Sequence, residues 1–430
     1  MMKTKYLFLT IFACLSFFGC NKNDDGPAVK LPELQNEPPL SFNLIDVADN
    51  STNVGVLPTL SWESAKNPEG SDVTYDLYLG NEVNPKTIYQ NDIAETSFQI
   101  EERLSLITKY YWKVVATDTK GTSSQSNIQE FTTRNLTIPD APFVANANFG
   151  SRSNHTTTFF DNKLWIIGGF YVEETRDDAW FGLNGIDWTK SAENEPFCDR
   201  SGHSAVVFQD EMYIIGGFVD ENPLILDDVW QSNNGVDWED VTPNEEFPER
   251  GNHSSVVFDN KIWIIGGSSF KGFKYDDIWS STNGRTWTEV AIVSPSFSGR
   301  TGHASAVFNN KIWIVGGQDD DGLLNDVWSS SDGKNWELAN LNAAFSKRRS
   351  HTLTIHDGKM WLIGGSGGDG LKNDVWYSSD GVEWTELPVP ENFPTRTRHT
   401  AISYDNKLLI IGGYLSVDDL EPSDDIWALE

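Results

Sequence analysis

The sequence predicts an all-β fold in which a small sandwich precedes an array of four-stranded sheets. Three observations predict it. From Arg152 onward the chain repeats every 48 to 50 residues, with His155, His203, His253, His303, His351 and His399 in one phase. Ahead of the repeat, residues 41–134 hold short alternating strands broken by Asn, Gly, Pro and Asp clusters, the pattern of a sandwich. Aromatic residues make up 12% of the 430, with 17 Trp and 24 Phe, enough to fill several cores despite a net charge of −31. Lys plus Arg number 32 against 63 Asp plus Glu, which argues against a nucleic-acid partner, because phosphate binding needs a basic footprint. Three Cys exclude a disulfide framework, and a single noticeable apolar run excludes a polytopic membrane protein.

Residues 1–19 read as a secretory signal: Lys3 and Lys5, an apolar run from Tyr6 to Phe18, then the small Gly19. With Cys20 at the cut site the segment resembles a bacterial lipoprotein signal, although Phe17 stands where a Leu is usual. The resemblance implies cleavage before Cys20 and lipidation of Cys20, hence membrane attachment through that lipid. An ordinary secreted protein with a chance Cys is the alternative. Asp24 and Asp25 resemble the export signal of surface-exposed lipoproteins in the Bacteroidetes, which implies the bacterial outer membrane with the body facing the medium. Loss of Lys3 and Lys5 leaves 30 basic residues against 63 acidic, a net charge of −33, with Cys198 the one other Cys once Cys14 is removed. Residues 20–40 carry Pro27, Pro32, Pro38 and Pro39 and read as the lipid-anchor segment and a flexible linker.

Between residues 41 and 134 the strand-like runs are Leu60 to Trp62, Val73 to Leu79, Ser97 to Ile100 and Tyr110 to Ala116. In the last, Trp112, Val114 and Ala116 share one face and Tyr111, Lys113 and Val115 the other, the period of two of a half-buried strand. These runs and the closing Glu130 to Thr133 resemble a fibronectin type III domain. That likeness implies a spacer or packing module.

In the repeat region, residues 135–430, a Gly pair follows each landmark His by 13 residues, from Gly168-Gly169 to Gly412-Gly413. An Asp-x-Trp follows, from Asp178 and Trp180 to Asp425 and Trp427, and a second Trp lies eight residues later in the first five repeats. Each repeat reads as four strands joined by tight turns such as Asp259-Asn260 and Asn184-Gly185. The period, Gly pair and spaced aromatics resemble kelch repeats, which implies a β-propeller, here of six blades. The whole chain is then a six-bladed kelch-type β-propeller preceded by a fibronectin type III-like β-sandwich. The sixth repeat ends without a fourth strand, so ring closure needs one from residues 135–148. The Ser-x-Asp-Gly-x-x-Trp turns at Ser330 and Ser378 are one residue short of the sialidase Asp box and give no support for that chemistry.

An Arg stands three residues before every landmark His: Arg152, Arg200, Arg250, Arg300, Arg348 and Arg396. On a propeller these guanidinium groups are expected to ring the mouth of the central channel, where their forks suit carboxylates. The alternative is that each pairs with the Asp of Asp-x-Trp, which strict repetition favours, because architecture repeats and chemistry rarely does. The repeated His read as packing residues. Positions that vary are stronger functional candidates. The residue after each Gly pair is Phe170, Phe218, Ser268, Gln318, Ser366 and Tyr414, so the neighbouring sixth, first and second repeats supply aromatics and the others polar groups. An aromatic face beside polar donors suits sugar rings, while three aromatics capping the repeats is the bland alternative. The expected function is ligand binding, glycan or protein, by a surface lipoprotein without catalysis. Kelch proteins also include a sialic-acid mutarotase, so a mutarotase or epimerase using the arginine-lined mouth is the alternative. His356 breaks the repeat, but next to a turn on the opposite face, away from such a mouth. Acidic loops such as Asp319 to Gly322 read as solvated, and neither a metal nor a cofactor is predicted.

Overall fold

The computed structural model describes residues 35–172, 174–191, 196–197, 199–219, 224–243, 247–293, 297–416 and 422–430. The signal, Cys20, the acidic stretch after it and Cys198 lie outside these residues. Every regular element among the described residues is a strand.

Two sheets build the N-terminal part. One orders Leu44–Asp46, Thr59–Trp62 and Ser97–Gln99; the other centres on Val73–Gly80 and Lys109–Asp118. They close over a core in which Leu60, Trp62, Leu77, Trp112, Val114 and Ala116 are buried, so the alternation in Lys109–Asp118 sets which face turns inward. On the stretch expected as linker, Asn36 already donates to Asp118 Oδ2 at 2.7 Å and Leu40 donates to the Lys66 carbonyl at 2.9 Å.

The repeats form six antiparallel sheets in chain order. In each, the strand that follows the landmark His pairs with the strand entering the Gly pair, as Thr156–Phe160 does with Lys163–Ile167. The Asp-x-Trp strand pairs next. Between sheets lie cores of one kind: Trp165 and Ile167 of the first repeat pack with Met212 and Ile214 of the second. The Gly pair makes this approach possible. Gly168 and Gly169 have φ of 58° and 111°, and a Cβ on Gly168 would stand 2.7 Å from the Arg200 carbonyl of the next repeat.

The first strands of the six sheets neighbour one another in a cycle, and backbone bonds follow it. Each residue before a landmark His donates to its counterpart in the preceding repeat: Gly202 to Asn154, Asn252 to Gly202, Gly302 to Asn252, Ser350 to Gly302, Arg398 to Ser350, and Asn154 back to Arg398, at 2.7–3.0 Å. All six have φ between 49° and 61°. The sixth sheet has three strands of its own, Thr400–Tyr404, Lys407–Tyr414 and Pro422–Leu429. Its outer side is filled from residues 135–148: Val144 and Ile426 exchange bonds of 3.0 and 2.8 Å, and Thr137 and Glu430 exchange two more.

The sandwich is seated on the fifth sheet. Lys359 is buried and donates to the Leu106 carbonyl at 2.6 Å, while Asp357 accepts from the Leu106 amide and from Arg103. Leu106 and Leu136 share a core with Trp361 and Leu408. Burial pushes the Lys359 ammonium below its ordinary range, and Asp357 opposes this. His356, the residue that breaks the repeat, is buried beside this seam and shares a 2.8 Å bond with Ser403 Oγ.

Candidate functional site

The six arginines expected at the mouth are buried instead. Arg152, Arg200, Arg250, Arg300, Arg348 and Arg396 are each 0% exposed. Each makes a two-pronged contact with the Asp of its own repeat: Asp178, Asp228, Asp277, Asp326, Asp374 and Asp425, at 2.6–3.2 Å. Nη1 also donates to the carbonyl of the first Gly of the pair at 2.8–3.0 Å. The ring of the Phe three residues upstream, Phe149 to Phe393, lies 5.5–6.0 Å from the guanidinium. The Asp in turn accepts from its Trp, as Trp328 Nε1 donates to Asp326 at 2.7 Å. A buried cation needs a paired carboxylate, and the repeat supplies one each time. These arginines therefore hold the connection ahead of each landmark His against the Gly pair and do not reach a ligand. Burial by itself raises the Asp178 carboxyl, but the Arg152 charge and the hydrogen bonds to it hold it below the usual range.

The histidines stitch repeats together. His155 shares a bond with Thr400, His203 with Thr156, His253 with Ser204, His303 with Ser254 and His399 with Thr352, at 2.8–3.2 Å. Burial first, then the nearby arginines, pushes His155, His253 and His351 down to about 3, so they are neutral.

A small cavity of 130 Å³ is lined by the six histidines and the residues before them. Beside it opens a larger cavity of 430 Å³ lined by Phe170, Val172, Arg349, Ser350, Ser366, Leu371, Thr397, Arg398, Tyr414 and Ser416. It belongs to the first, fifth and sixth repeats. Two of the three aromatics singled out in the sequence, Phe170 and Tyr414, converge here. Phe218 is not among the lining residues: its ring lies on the shelf left by Gly202 and Gly251, where a Cβ on Gly251 would stand 2.1 Å from it.

Arg349 and Arg398 are the site residues that sequence reasoning passed over. They lie two and one residues before the landmark His, positions that face the mouth because the former pairs across to the residue after the Gly pair: Ser153 to Phe170, Ser201 to Phe218, Arg349 to Ser366, Thr397 to Tyr414. Arg349 donates to Gln318 Oε1, and the Arg398 guanidinium lies 5.9 Å from the Tyr414 ring centre. Arg398 reaches solvent at the mouth, yet partial desolvation draws its guanidinium below the ordinary value, Tyr414 opposes this, and the Arg349 charge adds to it. The signal in the sequence was the departure from Ser, Thr, Asn or Gly at those two phases.

The KLHDC2/KLHL20/DRC7 Kelch-repeats domain matches the chain over residues 115–317 and 252–430. Among curated proteins none matches. Among solved structures, that of YjhT is similar at a TM-score of 0.55 and 17% identity, over 66% of this chain and 96% of YjhT, a likeness of fold. With that domain matched between residues 115 and 430, the chain belongs to the KLHDC2/KLHL20/DRC7 Kelch-repeats domain family.

Proposed function

We propose that this protein is a surface-exposed lipoprotein of a bacterial outer membrane, held through lipid on Cys20. Its six-bladed kelch-type propeller, carried on a fibronectin type III-like spacer, presents one glycan-binding pocket. The supporting observation is the asymmetry of the mouth. Among the described residues of the repeats, a 430 Å³ cavity on one side of the mouth sets Phe170 and Tyr414 beside Ser350, Ser366 and Thr397. Aromatic faces with fixed polar groups suit a sugar ring. Among the described lining residues there is neither a carboxylate nor an imidazole to move a proton, so binding fits the cavity better than the mutarotase or epimerase alternative.

A glycan array probed with the purified protein tests the reading. Hits are expected, and Phe170→Ala is expected to remove them while Phe258→Ala, in a buried core between sheets, leaves affinity unchanged where the variant is folded. Binding that survives both Phe170→Ala and Tyr414→Ala contradicts the pocket. Anchoring is read separately: an alkyne fatty acid fed to expressing cells should label the protein and not its Cys20→Ala variant.

A further inference from the structure

The residue one before each landmark His lines the axial opening, and the residue two before pairs across to the residue after the Gly pair. Ten of these twelve residues are Ser, Thr, Asn or Gly, and the two exceptions are Arg349 and Arg398, on the same cavity. Neither guanidinium has a carboxylate within ion-pair distance among the described residues, in a chain with 63 acidic side chains. The fixed partners of these cations are the Gln318 amide oxygen and the Tyr414 ring. The Arg349 charge works against that of Arg398, and Tyr414 opposes this. The backbone departs here too. The residues before the first four landmark histidines are Asn or Gly, which accept a left-handed φ, but Ser350 and Arg398 hold φ of 54° and 56°. A non-Gly residue in that region costs about 1 kcal/mol or more and persists at functional sites.

We infer that the cavity takes an acidic saccharide, its carboxylate bridging Arg349 and Arg398 and its ring lying against Tyr414 and Phe170. This rests on the binding reading above and names the ligand class. Guanidinium groups only donate, so the ligand must bring acceptors, and a carboxylate offers two oxygens in the geometry of the fork. A peptide carrying the same carboxylate also brings backbone N–H donors, and among the described lining residues the charged groups offer them no acceptor. A sugar acid brings hydroxyls that match Ser350, Ser366 and Thr397.

The test uses the full chain in calorimetric titrations with a galacturonic-acid disaccharide, its methyl ester, the neutral galactose disaccharide and a short peptide with a free C-terminal carboxylate. Arg398→Asn and Arg349→Thr borrow residues that other repeats carry at the same phases, so folding is preserved. Tenfold or greater preference for the acid over its ester is expected, and either variant should remove most of it without lowering the melting temperature. Equal affinity for acid and ester overturns the inference, as does a preference unchanged in both variants, or capture of the peptide with no saccharide bound. Neutral saccharides that bind equally well and are lost in Phe170→Ala would sink the acid preference alone. Binding of no probe, with an array that is also blank, would remove the pocket reading with it.

Discussion

At His351 the ring of side-chain bonds is interrupted by one missing oxygen. The residue after each landmark His receives the imidazole of the next repeat, and it is Thr or Ser in five repeats but Ala304 in the fourth. His351 Nε2 accordingly meets no hydrogen-bond partner. Ala304→Ser is expected to raise unfolding free energy by about 1 kcal/mol, and Ser254→Ala to lower it by about 1–3 kcal/mol through an orphaned His303, both read by denaturant melts. A loss of stability in Ala304→Ser would contradict this stitching. The same histidines set a pH response. Their folded values lie below the unfolded value of about 6.5, so the unfolded chain takes up protons first as pH falls, and stability drops. Between pH 7.5 and 5.5 each contributes a loss of about 1.4 kcal/mol, above the range where the paired carboxylates titrate. Melting temperatures that rise over that interval would refute it. The arginines show where residue-scale reading stops. Spacing placed Arg300 and Asp326 in phase, but it carries no information on whether a side chain points inward or along the sheet. The alternative of internal pairing was the one realised, because a buried guanidinium without a carboxylate would be too costly.

The elements were legible wherever one residue type repeats with one role. Gly-Gly marks a bulge or break in an inner strand, Asp-x-Trp the next strand, and Asn-Gly or Asp-Gly the turn after it, because each answers a local backbone or packing demand. The outer strand of the sixth sheet was harder to place, since residues 135–148 lack the Trp of their counterparts and were assigned by elimination. In the structure Phe393 packs against Trp427 at 5.0 Å in place of a fourth-strand Trp. Val144→Pro removes the amide that donates to Ile426. We expect it to lower the melting temperature and to speed amide exchange at Ile426 and Glu430, on the far end of the chain. Unchanged protection at both would show that this segment does not hold the sixth sheet.

For the whole molecule, the division is between what repeats and what departs from the repeat. Six Arg–Asp–Trp clusters, the backbone cycle and the histidine bonds bring residues far apart in the chain, such as His155 and Thr400, into one ring. That ring places Phe170, Arg349, Arg398 and Tyr414 around one opening, though no local pattern links them. The aromatic pair was legible because it varies at a phase already in view. The cationic pair was not, because the phases one and two before the His had no role until the sheets were assembled. One comparison tests this division most directly: melting temperature and acidic-saccharide affinity measured together on Asp326→Asn and Arg398→Asn. The account predicts that Asp326→Asn, which strands the buried Arg300, loses about 3–5 kcal/mol of stability and binds normally while folded, whereas Arg398→Asn keeps its stability and loses the ligand. A stable Asp326→Asn that no longer binds, or a destabilised Arg398→Asn that still does, would contradict it.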